Sequence, residues 1–598
     1  MYWYLAQITV GSFGQGTVAM NSILLQVAGI AVASALLSHI LIFRRYNLDS
    51  NSHQLLILAN VVVLLKPFAL YIRGWRPYDA FCLSIIADLS YTIGLFTSIG
   101  VYRGFFHPLH KFPGPFGARL SVFWKVNHFA KSGFKAFRVI DGLHTQYGNV
   151  VRVAPRQLSI NEPEAYQQIY GSRSECHRIR WLEDRPKNLQ FLANAEEHAL
   201  RRKIWDHGLS PKACQSSHFA QIGEISRRLC KRLSEFQGNP AVINDICHHF
   251  TFDIMGQIGF GQSYGQLESG KSHPAIEKVE KFMKAGVIAT QMMWIVTLLM
   301  VIPGLDDPMQ DLKDWAKQLL DERANSMAVL EKAEGEKDLM SYVEESGGLK
   351  NTRHPMNDEV FAEDAVLLQV AGSDTSYSVL VNLCHYFANY PDLQAKVRRE
   401  VLKTFSDNVK EEPAWTKLSS PRECPFLDAT VNEVLRRHAP VPMGLLRETP
   451  DHTIEIAGHI IPPRTIVSCP IWTLQYDERS FKHADQFIPE RFLHKDHPES
   501  RAELLLDKRA FVPFSVGPMN CAGKYFAYME IKVFCAYVLK DFEILFPESH
   551  TQTSPNVTND KQTKDRIHTL GTEDYLTQGA PRTTVSFLPR SKEMIANV

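Results

Sequence analysis

From Ser22 to Phe43 the chain runs for 22 residues without an Asp, Glu, Lys or Arg. At about 1.5 Å rise per residue, a helix of that length crosses a hydrocarbon layer of about 30 Å. Lipid offers no partner for peptide groups, so such a stretch must be helical there. Arg44 and Arg45 follow at once. Two more apolar runs come next: 53–72, interrupted by Lys66, and 80–102, interrupted by Asp88. The first run is too long and too far from Met1 for a cleaved signal segment, and no small-residue cleavage site closes it. If all three runs cross, Arg44, Arg45 and Arg103 flank the cytoplasmic side. Arg73 and Arg76 then face the lumen, against the positive-inside tendency, which counts against the second run. The expectation is a membrane anchor module over 1–105 with one to three transmembrane helices. A single span followed by buried helices is the alternative.

A fourth uncharged stretch, Ala285–Leu305, is long enough to span. A crossing there would split the following chain between two sides of the membrane. A buried or membrane-dipping helix is expected instead. After Tyr102, Pro108, Pro113, Pro115, Gly114 and Gly117 predict a stiff, non-helical connector. Residues 106–598 then form one large domain. "YGNVVRVAPRQLSI", "HTIEIAGHIIPPRTIVSC" and "APRTTVSFLPR" read as strands. Asn357 or Asp358 caps a long helix running to about Tyr390. The fold class is mainly α with small β-sheets. The 65 basic and 64 acidic residues give no field that would draw nucleic acid. None of the ten cysteines forms a CxxC or CxH pair, so a zinc site or redox dithiol is not expected. Such spacing suits a reducing compartment. The sequon Asn556-Val557-Thr558 would go unused in a cytosolic domain.

One cysteine stands apart. In "FVPFSVGPMNCAGKYFA", Cys521 lies between Gly517 and Gly523 at the mouth of a helix starting about Ala522. Free N–H groups and the helix dipole there favour a thiolate. The glycines let the backbone turn sharply or approach a flat partner, and Phe514 can lay its ring against that partner. A single thiolate in an apolar, donor-rich loop suits one axial position on haem iron. A buried structural cysteine is the bland alternative.

This loop resembles the haem-binding loop of the cytochromes P-450, and "HPLHKFPGP" is similar to the fungal microsomal branch. Three more signatures follow the family's order: "EVLR" (Glu433–Arg436), "FIPERF" (Phe487–Phe492) and "AGSDTS" (Ala371–Ser376). The resemblance covers roughly His107 to Arg590. It implies the cytochrome P-450 fold, heme b, and Cys521 as axial ligand to the iron. It implies that Glu433 and Arg436, three apart on a helix, lock with Arg491 as a structural triad behind the loop. It implies that Gly372 opens space over the iron where the helix unwinds, and that Asp374 and Thr375 deliver protons to bound O2, Asp374 reaching solvent through water. The family often carries Arg or His two residues before the cysteine to bind a haem propionate. Met519 cannot do this. Arg202, Arg447 and, in support, His198 in "HALRRKIW" are assigned to the propionates instead.

The activity implied is a membrane-bound monooxygenase acting on a hydrophobic small molecule in fungal secondary metabolism. Its electrons come from NADPH through cytochrome P-450 reductase, with cytochrome b5 as a second partner the resemblance implies, because no G-x-G-x-x-G follows a strand in the chain itself. Lys524 and Arg201–Lys203 are candidates for the docking face. Substrate contacts are expected from Val441–Leu446, Asp374's helix, Ala285–Leu305 and Tyr575–Thr577. The location implied is the endoplasmic reticulum membrane with the domain facing the cytosol. The alternatives are a haem-thiolate isomerase or dehydratase that needs no reductase, and a non-enzymatic haem-binding membrane sensor.

Overall fold

The computed structural model describes residues 18–46, 51–179, 187–299, 308–329, 337–345, 358–405, 412–547, 560–575 and 577–590. The sequon at 556–558, the candidate cap Asn357, residues 300–305 of the fourth apolar stretch, and Leu576 lie outside them. The chain divides into two units. One holds residues 1–125, 152–156 and 289–305; the other holds the rest.

The first unit carries three helices long and apolar enough to cross a membrane: α1 (Val18–Ser38), α2 (Ser52–Ile72) and α3 (Pro77–Val101). The apolar length extends past α1 to Phe43 and past α3 to Phe106 in π-type turns. Val27, Leu70, Ala80, Leu83 and Ala87 form a small core between them. Gly94 lets α3 approach α1 closely, since a Cβ there would lie 3.3 Å from Ala35 and Val32; small residues serve this purpose wherever apolar packing must replace a hydrophobic driving force. Lys66 and Asp88, the charges that interrupt two of the runs, form an ion pair between α2 and α3. Their pairing removes the objection that each raises alone. Most large side chains of α2, Leu64 and Ile72 among them, face outward, as a lipid-facing surface requires.

The connector is less open than its prolines imply. A 3-10 turn (Pro108–Lys111) and a short helix (Phe116–Leu120) occupy it. Pro108 and Phe116 sit at first-turn positions, where a missing N–H or a preceding proline costs nothing. The fourth apolar stretch is broken at 290–292, between helices Pro274–Ala289 and Met293–Leu299. It is therefore no continuous span. Its second piece lies in the first unit, where Ser52 Oγ donates to Trp294 O (3.0 Å) and Phe123 meets the Trp294 ring.

The second unit is mainly helical. Its centre is built by α4 (Ala195–Gly208), α5 (Ile243–Phe260), α6 (Asp358–Asn389), α7 (Pro425–Arg437) and α8 (Lys524–Asp541). Helices α5 and α8 are buried on nearly all sides, which explains their weak polar faces. Asn194 caps α4 through its side chain, as its residue type predicts. Small sheets lie to the side. In one of them β1 (Gln157–Ile160) pairs parallel with β3 (Ile466–Ser468), and β2 (Arg447–Glu448) pairs antiparallel with β3. A three-stranded sheet closes the C-terminal part, with Thr584–Pro589 at its middle.

Candidate active site

The Cys521 loop is held by its own backbone. Cys521 N–H donates to Phe514 O (2.9 Å), Asn520 N–H to Gly517 O (3.1 Å) and Ser515 N–H to Val512 O (3.0 Å). Gly517 has φ +76°, and a Cβ there would sit 2.2 Å from Tyr170 O. Only glycine suits that position. The helix begins at Lys524, with Gly523 as its cap, two residues later than the pattern of apolar residues implied. Of ten cysteines, seven are buried, two are half-buried, and Cys521 alone is exposed. Surrounding protein atoms nevertheless push its thiol up, while the Gly523 N–H and the charges of Arg202 and Lys524 pull it down. Dense surroundings with an open sulfur mean that Cys521 faces a recess. Phe514 packs on Tyr528, ring centroids 5.2 Å apart.

Behind the loop stands the triad. Arg436 binds Glu433 through two parallel bonds of 2.8 Å, and Arg491 Nε lies 3.3 Å from the same carboxylate. All three side chains are fully buried. Most of the remaining donors are used: Arg436 reaches Gln475 O and Gln486 O, and Arg491 reaches the carbonyls of Lys482, His483 and Leu504, while Arg491 Nε makes no good hydrogen bond. Ile488 N–H also donates to Glu433. Burial pushes the Arg491 guanidinium down to about 10, against the pull of Glu433. Gln475 ties this cluster to the loop. Its amide nitrogen donates to Leu435 O and Arg436 O, and its oxygen accepts from Val512 N–H. Nothing in the spacing of "IWTLQYD" marks Gln475 for that task.

Helix α6 is regular through Gly372, so the local unwinding that the resemblance implies is not present. Gly372 has another reason: a Cβ would meet Met255 Sδ of α5 at 2.4 Å. The space opens one residue earlier. Ala371 is exposed and Thr375, one turn on, is half-buried, while Ser373 and Ser376 are buried. Thr375 Oγ1 donates to Ala371 O (2.7 Å), the back-bond common to helical threonines. Asp374 pairs with His248 of α5, Nε2 to Oδ1 3.3 Å, rather than standing open toward solvent. Next to this strip, Glu530 of α8 is fully buried, and neither of its carboxyl oxygens has a geometrically good hydrogen bond. Burial pushes it up to about 8, with the Ser376 hydroxyl opposing.

A group of cations sits beside the loop. Arg447 is buried; it donates to Leu446 O (3.0 Å), lies 3.8 Å from Met519 Sδ and covers the Tyr170 ring. Burial lowers its pKa. Arg178, which no pattern singled out, is also buried and donates to Leu189 O and Leu192 O, but its Nε has no hydrogen-bond partner. Burial, then Arg447, Arg202 and Arg201, push it down to about 9. The same arginines and burial push His198 down to about 4, so it is neutral near pH 7. Among the described residues neither Arg178 nor Arg447 has an ion-pair partner. Arg202 is engaged differently: it binds Asp206 and, from its terminal nitrogens, Pro518 O, Asn520 O and Asn520 Oδ1. Arg201 is no part of a docking face. It is buried and paired with Asp364 at 2.7 Å, which also accepts from Trp205 Nε1 and Leu189 N–H. Lys203 and Lys524 are exposed.

An open cysteine sulfur, a helix strip open at Ala371 and Thr375, and two buried guanidiniums lacking carboxylates fit a flat, dianionic, iron-carrying group. These residues therefore fit haem. A sequence profile of the family described as "Cytochrome P450" matches residues 113–564. The chain is 32% identical over 515 residues to cytochrome P450 monooxygenase FCK2 of Fusarium pseudograminearum (strain CS3096), covering 85% of this chain and 90% of that one. It is 30% identical over 478 residues to the tryprostatin B 6-hydroxylase of Neosartorya fischeri, covering 78% and 82%. A crystal structure of the cytochrome P450DA heme domain superposes with a TM-score of 0.59 at 15% identity, covering 78% of this chain and 94% of that one. The chain belongs to the cytochrome P450 family and is a haem-dependent monooxygenase with the P450 fold.

Proposed function

We propose that this protein is a membrane-anchored monooxygenase of fungal secondary metabolism that oxidises a hydrophobic small molecule. The observation that carries the reading is the single open thiol, Cys521, in a backbone-clamped loop ahead of α8, in a chain whose α6 also leaves Ala371 and Thr375 uncovered. Haem, once bound, supplies activation of O2 for insertion of one oxygen atom into the substrate. Cys521 would hold the iron as a thiolate, with the Gly523 N–H and the Arg202 and Lys524 charges favouring the anion. Arg178 and Arg447 would pair with the propionates, and neutral His198 would support them. Arg202 acts mainly through the loop backbone that it clamps. Glu433, Arg436 and Arg491 form the lock that fixes the loop. Met519 follows from this arrangement: a cation there would add a third positive charge beside Arg447 and Arg178.

Thr375 and Asp374 would move protons toward the open strip, the hydroxyl from its back-bonded position and the carboxyl from its place beside His248. Electrons would come from NADPH through a separate reductase, with cytochrome b5 as a second donor. The three apolar helices support the membrane reading, and the likeness to a tryprostatin B 6-hydroxylase supports oxidation of a small molecule. The module 1–105 would anchor the domain 106–598 on the cytosolic face of the endoplasmic reticulum. Full-length protein recovered in the soluble fraction after an alkaline wash would contradict that anchor.

The experiment is a balance sheet for Thr375→Ala, coexpressed with a reductase. NADPH consumption continues, product falls about tenfold or more, and free hydrogen peroxide accounts for the difference. Product still matched to NADPH in that variant would remove Thr375 from the chemistry. Product formed with no NADPH consumed would favour the isomerase or dehydratase reading.

A further inference from the structure

Asp374 and Thr375 are neighbours on a regular helix, so their side chains diverge by about 100°. Thr375 shares the open strip with Ala371, one turn away. Asp374 therefore turns elsewhere, and the structure shows where. Its Oδ1 lies 3.3 Å from His248 Nε2, a close contact without good hydrogen-bond geometry, and both side chains are mostly buried, 15% and 14% exposed. The imidazole is fixed in its turn. It lies on the Tyr377 ring with centroids 5.0 Å apart and meets the edge of Phe252 at 6.3 Å. Tyr377 is itself held by Asn244 Nδ2, which donates to its hydroxyl (3.1 Å). His249 and Cys247 on α5 and Glu280 on the helix Pro274–Ala289 are among the titratable groups near this pair. Glu280 is exposed and pairs with Lys284.

From this geometry we propose that His248 is a positioning residue for proton delivery: it holds the Asp374 carboxylate off the open strip and returns protons to it. The inference rests on the reading of Asp374 as proton carrier. Each transfer is balanced. A hydronium ion first gives its proton to the neutral His248 ring and leaves as water; the Nε2–H bond of the resulting imidazolium then breaks as an O–H bond forms on Asp374, and the ring is left neutral. When Asp374 gives that proton toward Thr375, the carboxylate returns to His248. Imidazole suits this duty because its ring nitrogens can both donate and accept, whereas a Lys or Arg only donates. The residue carries no sequence signature: a histidine one turn into a buried helix reads as core.

The test uses full-length protein in lipid nanodiscs with reductase. His248→Phe keeps the ring on Tyr377 and removes the partner of Asp374. His248→Gln is the milder second variant. Expected in both are unchanged carbon monoxide spectra and a fall in product rate of about 10-fold or more. The solvent deuterium isotope effect on that rate rises. His248→Phe combined with Asp374→Asn is no slower than the slower single variant. A thermal-melt cycle on the same four proteins shows non-additivity, since the pair is already broken in each single variant. Normal rate and isotope effect in both His248 variants, with Asp374→Asn slow, would overturn the role of His248 alone. Normal turnover in Asp374→Asn would instead overturn the reading of Asp374.

Discussion

Two buried polar clusters flank the cysteine loop, and they are built on opposite rules. The Glu433–Arg436–Arg491 cluster is saturated in charge: one carboxylate faces two guanidiniums, and backbone carbonyls take up most of the remaining donors, Arg491 Nε alone lying 3.3 Å from Glu433 without a good hydrogen bond. The Arg178–Arg447–His198 cluster is short of acceptors. It holds two guanidiniums whose pKa values burial lowers and no described carboxylate. A saturated cluster holds a fold in place. A buried cation without an anion is costly on its own account and is understandable where an anion is to be bound. The contrast separates structural charge from ligand-binding charge without reference to any relative.

The largest expected effect comes from removing the acid of the saturated cluster. Glu433→Ala strands two buried guanidiniums, a loss of about 3–5 kcal/mol. Little folded protein should accumulate, as judged by its yield in the membrane fraction. A near-normal yield would break the contrast from one side. Arg178→Leu should behave in the reverse way. Folded yield holds, but the ratio of haem to protein falls, since a charge-assisted bond is worth about 1.5–3 kcal/mol, or about 10–100-fold in retention. Arg447→Leu should follow the same pattern. If Arg178→Leu instead reduces folded yield as Glu433→Ala does, the second cluster is structural and the propionates lie elsewhere.

A smaller effect sharpens the same idea with a group of opposite charge. Glu530 is buried without a cation, and its carboxyl is pushed up to about 8. A free glutamate in the unfolded chain releases its proton near 4.3. Between those values the unfolded state holds fewer protons, so this residue makes stability fall as pH rises from about 4.3 to 8. Glu530→Gln cannot ionise. Its melting temperature should exceed the wild type's by a few degrees at pH 8, with the gap closing toward pH 5. A gap that widens on acidification would mean that Glu530 is ionised and paired.

The sequence shows some of this plainly. Glu433, Arg436, Arg491 and Cys521 sit in short local patterns, and the structure brings them to adjoining places. The strands at 157–160, 466–468 and 584–589 follow from their apolar β-branched residues. Other parts depend on neighbours far along the chain. Lys66 and Asp88 each read as defects in a span until α2 and α3 are side by side. Gly372 reads as an opening over the iron, yet Met255 from α5 accounts for it. Arg202 has the spacing expected of a propionate ligand, but Asn520 claims its donors. Arg178 and Gln475 lie in unmarked segments, and only their burial and bonding in three dimensions reveal them.

The central claim is that Cys521 holds the haem iron as a thiolate. The direct measurement is the carbon monoxide difference spectrum of the reduced protein, in wild type and Cys521→Ala, each with haem content determined separately. Wild type should show the long-wavelength band that marks thiolate ligation, and Cys521→Ala should lack it whatever haem it retains. The same band persisting in Cys521→Ala would place the ligand on another residue and contradict the account.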